Sequence, residues 1–289
     1  MARVSALLVV VALILTVAAL GCGPKRPAAP AGTPQSPTST PPSKAAQVAP
    51  APASGKTIVV FAGAASKPAL TELGPKYEEK TGVEVSMTFG GSGSVLTQFS
   101  QEQYGDVYVP GSDDFMDTAE KRDAVLKEGR TVLVYLVPAI CVAKGNPKQV
   151  RELKDLARSE LRVVLGQPKA VCLGDVAQEM LTQTGLWDQV QPHVASYASS
   201  CEDTLNALLL GEADVIIGWD VFARQQPDKV EAIALPPKLA RPRNIPASVI
   251  KWSKQPDEAR AFIGFLASDE AREVFSRHGY TVKAPVPPA

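Results

Sequence analysis

Four stretches of this chain gather hydroxyl, thiol and glycine residues at points where helices would begin: Ser66-Lys67-Pro68, Ser92-Gly93-Ser94, Pro168 to Gly174 with Cys172 and Leu173 inside it, and Ser199-Ser200-Cys201-Glu202-Asp203. The first turn of a helix leaves backbone N–H groups without intrahelical partners, and the positive end of its dipole adds to their pull on an anion. Any one of these starts reads as an ordinary cap, because Ser and Gly lead helices everywhere. Four together describe the crevice outside the carboxyl ends of strands in an open α/β sheet, where ligands settle.

Cys141, Cys172 and Cys201 leave three chemistries open: a disulfide in an oxidising compartment, separate buried thiols, or a soft thiolate site for a thiophilic metal or metalloid. Cys141 lies in the apolar pattern Ala139 to Ala143 and reads as a small core residue. Catalytic machinery is harder to find. G-x-S-x-G fails because Ser94 stands where its last glycine belongs, and no P-loop, G-x-G-x-x-G or H-E-x-x-H occurs. With His193 and His278 the chain's 2 histidines, a Ser/His relay lacks its base and a histidine metal site lacks ligands. Asp113, Asp114 and Asp117 cluster at a helix start, where they complement the dipole. An enzyme is therefore disfavoured. An adhesion or scaffold module would have no use for four converging helix starts.

These residues must be held by something, and periodicity supplies it. Apolar β-branched runs alternate with helical patterns, the signature of parallel α/β architecture. Strands are expected at Lys56 to Ala62, Val83 to Phe89, Asp106 to Val109, Val132 to Ala143, Leu161 to Leu165, Asp214 to Gly218, Val230 to Ala234 and Ala247 to Ile250. Helices are expected at Lys67 to Thr81, Ser94 to Gln103, Phe115 to Lys121, Gly174 to Thr184, Glu202 to Gly211, Pro256 to Ser268 and Asp269 to Gly279. The balance of 30 basic and 30 acidic residues gives no long-range field that would favour nucleic acid.

Ahead of this body, Arg3 precedes an apolar run from Val4 to Leu20, followed by Gly21 and Cys22. That is the plan of a signal peptide, residues 1–21, rather than of a spanning helix. A-L-G-C resembles a bacterial lipobox, so Cys22 is the expected site of lipidation, with an uncleaved N-terminal anchor as the alternative. Either way the body lies outside the cytoplasm, held at a membrane. Residues 22–55 are rich in Pro, Ala, Ser and Thr without an aromatic residue, a tether that cannot bury a core.

With these elements in place, V-F-A-G-A-A-S (Val60 to Ser66), T-F-G-G-S-G-S (Thr88 to Ser94) and G-D-V-Y-V-P-G-S-D-D-F-M-D (Gly105 to Asp117) resemble the periplasmic molybdate-binding protein family of ABC importers. Gly166 to Gly174, Gly211 to Trp219 and Phe265 to Tyr280 match later blocks of that family, so the resemblance covers nearly all of Lys56 to Tyr280. It implies a two-lobed, type II periplasmic-binding α/β fold, each lobe a mostly parallel sheet flanked by helices, with a two-strand hinge crossing at Val132 to Ala143 and Asn244 to Ile250. Lobe one is then residues 56–136 with 247–289, and lobe two residues 137–246.

The resemblance also implies a ligand, molybdate or tungstate, held by neutral donors and no cofactor. Ser66 and the Ser92-Gly93-Ser94 turn would serve from lobe one. Backbone N–H groups of Leu173, with its neighbour Cys172, and of Cys201 would serve from lobe two. Trp219 occupies the place of a family tyrosine and offers a ring N–H where the family has a hydroxyl. The implied partners are ABC permease subunits, and nothing in the sequence suggests more than a monomer. The same fold holding sulfate, phosphate, a small carboxylate or a soft metal or metalloid at Cys141, Cys172 and Cys201 is the alternative.

Overall fold

A computed structural model describes residues 55–285; the signal segment, Cys22 and the tether up to residue 54 lie outside the described residues. The chain opens with β1 (Thr57–Gly63), a 3-10 turn (Ala64–Ser66) and α1 (Lys67–Thr81). It continues through β2 (Glu84–Gly90), α2 (Ser92–Glu102), β3 (Val107–Val109), α3 (Asp113–Lys121) and β4 (Thr131–Leu136). The middle comprises β5 (Pro138–Ala143), β6 (Val163–Gly166), α4 (Cys172–Gln183), α5 (Trp187–Val190), β7 (Val194–Ala198), α6 (Cys201–Leu209), β8 (Val215–Trp219), α7 (Val221–Gln225) and β9 (Val230–Ala234). The chain then adds β10 (Arg243–Val249), α8 (Pro256–Leu266) and α9 (Asp269–Arg277).

Two five-stranded sheets result, ordered β2-β1-β3-β10-β4 and β7-β6-β8-β5-β9. They define lobe one and lobe two of the two-lobed α/β fold that the resemblance implies. Both sheets are mixed rather than mostly parallel. Strands built by successive strand-helix units, β2-β1-β3 and β7-β6-β8, are parallel. The strands at the crossings run the other way: β10 is antiparallel to β3 and β4, and β5 is antiparallel to β8 and β9.

The expected single strand Val132 to Ala143 is two strands in different sheets, separated by Val137. Pro138, which has no N–H to give a ladder, opens the second. Val137 is clamped at the crossing: its N–H donates to Asp220 Oδ1 at 3.2 Å, and the Asp220 N–H donates to its carbonyl at 2.8 Å. The return also differs from the expectation of Asn244 to Ile250. β10 already pairs with β4 at Arg243, opposite Leu136, so residues 243–246 belong to lobe one's sheet and the return falls before them.

One face of sheet one is filled from α2, whose buried Val95, Leu96 and Phe99 pack with Phe61, Tyr108 and Met116. The Phe99 ring lies 5.6 Å from Phe61 and 5.0 Å from Tyr108, distances at which aromatic pairs attract beyond their area burial. Tyr108 then donates its hydroxyl to the Ser92 carbonyl at 2.9 Å, tying the first residue of α2 to this aromatic layer. In lobe two, α4 and α6 pack on β6 and β8, so both helices start at the same end of that sheet. Among the described residues no helix is long and apolar enough to cross a membrane.

α1 and α9 are joined at the surface of lobe one. Arg277 donates to Glu72 at 2.7 Å and His278 Nε2 lies 2.9 Å from the same carboxylate. Hydrogen bonds from Arg277 and then His278 hold Glu72 down at about 2, far below the ordinary glutamate value. A depressed carboxylate stabilises the fold above its unfolded pKa, and that contribution fades as pH falls through the folded value. Glu72→Gln is accordingly expected to lower stability at pH 7 by no more than about 1 kcal/mol, since the pair is solvent-screened. Urea unfolding at several pH values checks this: the gap between the two proteins should be full above about pH 5 and should shrink toward pH 2. A pH-independent gap would refute it.

Candidate functional site

The site is built where the carboxyl ends of β1, β2, β6 and β7 meet across the lobes. β1 ends at Gly63, where an added Cβ would stand 2.6 Å from Gly111 N and 2.8 Å from Ser92 Oγ, so a side chain there would push α2 and the loop after β3 apart. Ser92 Oγ accepts the Gly111 N–H at 2.9 Å. Ser66, read as a cap, does not cap α1: its buried hydroxyl donates to the Gly63 carbonyl at 2.9 Å. Ser200 is the true cap, accepting the Asp203 N–H at 3.0 Å and fixing the start of α6 at Cys201.

Cys172 and Cys201 each occupy the first position of a helix, α4 and α6, and their sulfurs are 3.3 Å apart. Both are buried free thiols, well outside the ~2.05 Å of a disulfide bond. From lobe one, Ser92 reaches Cys172, and a Cβ on Gly111 would lie 2.8 Å from Cys172 Sγ. Trp219 is fully buried, and its indole Nε1–H makes no hydrogen bond of normal geometry among the described residues. That N–H leans on Cys201, and the Leu173 N–H acts on both sulfurs.

These contacts divide the two thiols. The Cys172 S–H, then the Trp219 N–H and the Leu173 N–H, stabilise a thiolate on Cys201 and pull its pKa down against the cost of burial. Cys172 is driven well above the usual thiol range, first by its bond to Cys201 and then by burial. Of the two, Cys201 is the thiol more readily ionised and Cys172 the one that keeps its proton. None of the groups acting most strongly on either thiol is a lysine or arginine. A negative charge placed here would meet neutral donors.

The structure thus brings together Ser92, Cys172, Leu173, Cys201 and Trp219, with Ser66 on the turn that packs against α6. It does not bring in Cys141 or Ser94. Cys141 Sγ faces the Trp219 carbonyl at 3.7 Å, and burial pushes its thiol up, so it is a core residue apart from the pair. Among the described residues no group of three or more His, Cys, Asp or Glu could hold a metal ion, which removes the three-cysteine site. Ser94 is exposed and lines an outer groove of about 390 Å³ with Thr88, Gln98, Ser199 and Asp203. Gly111 and Tyr280 were not singled out from sequence. Tyr280, whose hydroxyl donates to Ala65 O at 2.6 Å behind the turn carrying Ser66, is marked only by its place in a tail motif.

The lobes touch through main chain. The Gly93 N–H donates to Ala170 O at 2.9 Å, and a Cβ on Gly93 would fall 2.2 Å from Lys169 O. Gly91 is as tight, with Ala170 O and Ser199 O at 2.5 and 2.7 Å from an added Cβ. Lys67 of α1 closes the rim with both Glu202 oxygens of α6, at 2.8 and 2.7 Å. Gly93→Ala should hold the lobes apart while favouring the helix it sits in. Small-angle scattering is expected to give a larger radius of gyration than the parent's; an unchanged radius would sink this account.

Comparison with known proteins places this geometry. A family model described as bacterial extracellular solute-binding protein matches residues 58–281. A molybdate-binding protein of Mycobacterium bovis is 29% identical over 226 residues, 78% of this chain and 84% of that protein. A putative ABC transporter substrate-binding lipoprotein of Bacillus subtilis is 27% identical over 230 residues, 78% of this chain and 87% of its own. Among solved structures, the sulfate-binding protein SubI of Mycobacterium tuberculosis superposes with a TM-score of 0.69 at 18% identity, over 78% of this chain and 86% of that one.

Proposed function

Because the chain belongs to the bacterial extracellular solute-binding protein family, we propose that it is the capture subunit of an ABC importer and that a tetrahedral oxyanion, molybdate or tungstate, is the solute its lobes close on. One observation carries this reading: a fully buried Trp219 N–H without a hydrogen bond of normal geometry stands at the same interlobe point as the Ser92 hydroxyl and the first turns of α4 and α6, with no cation among the groups that act most strongly there. A dianion there would take hydrogen bonds from Ser92, the Leu173 and Cys201 N–H groups and Trp219, and from Ser66 once its hydroxyl turns from the Gly63 carbonyl. Hydrogen bonds to an ionised acceptor are roughly twice as strong as neutral ones, and two helix dipoles point the same way.

Donor-only chemistry also selects. Molybdate, tungstate and sulfate are fully deprotonated at pH 7, whereas hydrogen phosphate would set its remaining proton against a donor, at a cost of about 1 to 3 kcal/mol. Size then has to separate molybdate from sulfate. Because the ligand bridges both lobes, its binding energy goes into closing them, and closure is the signal a permease can read. The A-L-G-C sequence at Ala19 to Cys22 supports a lipid anchor at Cys22, and the lipoprotein relative agrees with that plan.

Titration calorimetry of the full chain with molybdate, tungstate, sulfate and hydrogen phosphate tests the proposal. Molybdate and tungstate are expected to bind far more tightly than hydrogen phosphate. Ser92→Ala removes one hydrogen bond to a charged ligand and should weaken molybdate by roughly 10- to 100-fold. Equal affinity for all four anions, or no loss in Ser92→Ala, would contradict it.

A further inference from the structure

The donors that would hold an oxyanion already converge on sulfur. Cys172 and Cys201 come from different helices of one lobe, are both buried, and approach to 3.3 Å without a bond between them. Beside them stands the indole N–H of Trp219, fully buried and without a hydrogen bond of normal geometry among the described residues. Lobe one covers the pair with Ser92 and Gly111. Nothing in an oxyanion site calls for two thiols at this spacing.

Geometry and charge narrow what such a pair can bind. Metal–sulfur bonds of about 2.3 Å drawn to two sulfurs 3.3 Å apart meet at an angle of about 90°. Two-coordinate soft cations such as Cu(I) favour a linear arrangement, which would need the sulfurs about 4.6 Å apart at that bond length. Four-coordinate zinc needs further ligands, and among the described residues no set of three His, Cys, Asp or Glu is available. An angle near 90° belongs to a pyramidal trivalent centre. Charge agrees, because two thiolates with a monovalent cation would leave net negative charge where the strongest neighbours include no lysine or arginine.

We infer that Cys172 and Cys201 make the interlobe site a dithiol receptor for a neutral trivalent metalloid acid, of which arsenous acid is the type. The reaction is a condensation without electron transfer. Two As–O bonds break and two As–S bonds form; the two thiol protons leave with the two hydroxyls as two waters; one hydroxyl stays on arsenic, where its oxygen meets the Trp219 N–H. The adduct is neutral, so burying it leaves no uncompensated charge. The inference rests on the interlobe cluster being the solute site, yet it concerns a different ligand class from the oxyanion and stands or falls separately.

The test uses the full chain, reduced and freed of reductant, titrated with arsenite by calorimetry and examined by arsenic X-ray absorption, with molybdate titrated in parallel. The expected result is one arsenic per chain with two sulfur neighbours. Cys172→Ser and Cys201→Ser should each weaken arsenite at least 100-fold, while Cys141→Ala leaves it unchanged. The absorption spectrum of the parent protein decides the question even if a serine variant folds poorly. Molybdate binding with no response to arsenite would overturn the metalloid inference and leave the oxyanion reading in place. Arsenite binding without molybdate binding would do the reverse. Arsenic bound through oxygen, or a Cys172–Cys201 disulfide that reductant does not open in the folded protein, would also overturn it.

Discussion

How closely α2 can approach lobe two sets the size and dryness of everything between the lobes. At Gly91 and Gly93 that approach is main chain against main chain, with one hydrogen bond to Ala170 O and room for no Cβ. A methyl group at either point would force the lobes apart, and Ser92, which lies between these glycines, would withdraw from Cys172. Burial of the thiols and of the indole N–H depends on that contact. Water admitted here would supply hydrogen bonds to each group and weaken the electrostatic interactions among them.

The scaffold behind this contact is arranged to fix it. Phe61, Phe99 and Tyr108 form an aromatic layer on sheet one, and Tyr108 carries that rigidity to the Ser92 carbonyl. In lobe two the first residues of α4 and α6 are set by packing on β6 and β8 and by the Ser200 cap. Groups at helix starts on rigid sheets hold their positions better than groups on free loops.

Much of this was legible in the sequence, and the parts that were not have physical reasons. α1 was read at its observed bounds because Pro68 near its start and Gly82 beyond its end punctuate it. The helix starts at Ser92 and Cys201 were marked by small residues, and the resemblance brought Cys172, Leu173 and Trp219 to the same place. Val132 to Ala143 could not be divided, because an apolar run looks the same whether it stays in one sheet or passes from one lobe to the other. β7 was missed because it is a half-exposed edge strand with Ser196 and Tyr197 in it and no apolar face to give a period. Ser66 looked like a cap, since a hydroxyl ahead of proline carries no mark of turning back to Gly63. Cys141 was grouped with the other cysteines as an alternative only by type; its strand sends it toward the Trp219 carbonyl instead.

Two of the surface ion pairs differ in what they bridge. Glu72 with Arg277 lies wholly within lobe one and survives any motion between lobes, whereas Lys67 with Glu202 spans the cleft and exists only while the lobes are together. On the proposed closure this attraction is made and broken with each opening and is exposed to counter-ions, whose screening length falls from about 30 Å in dilute water to about 8 Å at physiological salt. On that reading salt outside the cell weakens the rim's share of closure, which for an exposed pair is no more than about 1 kcal/mol, and leaves the rest to the solute.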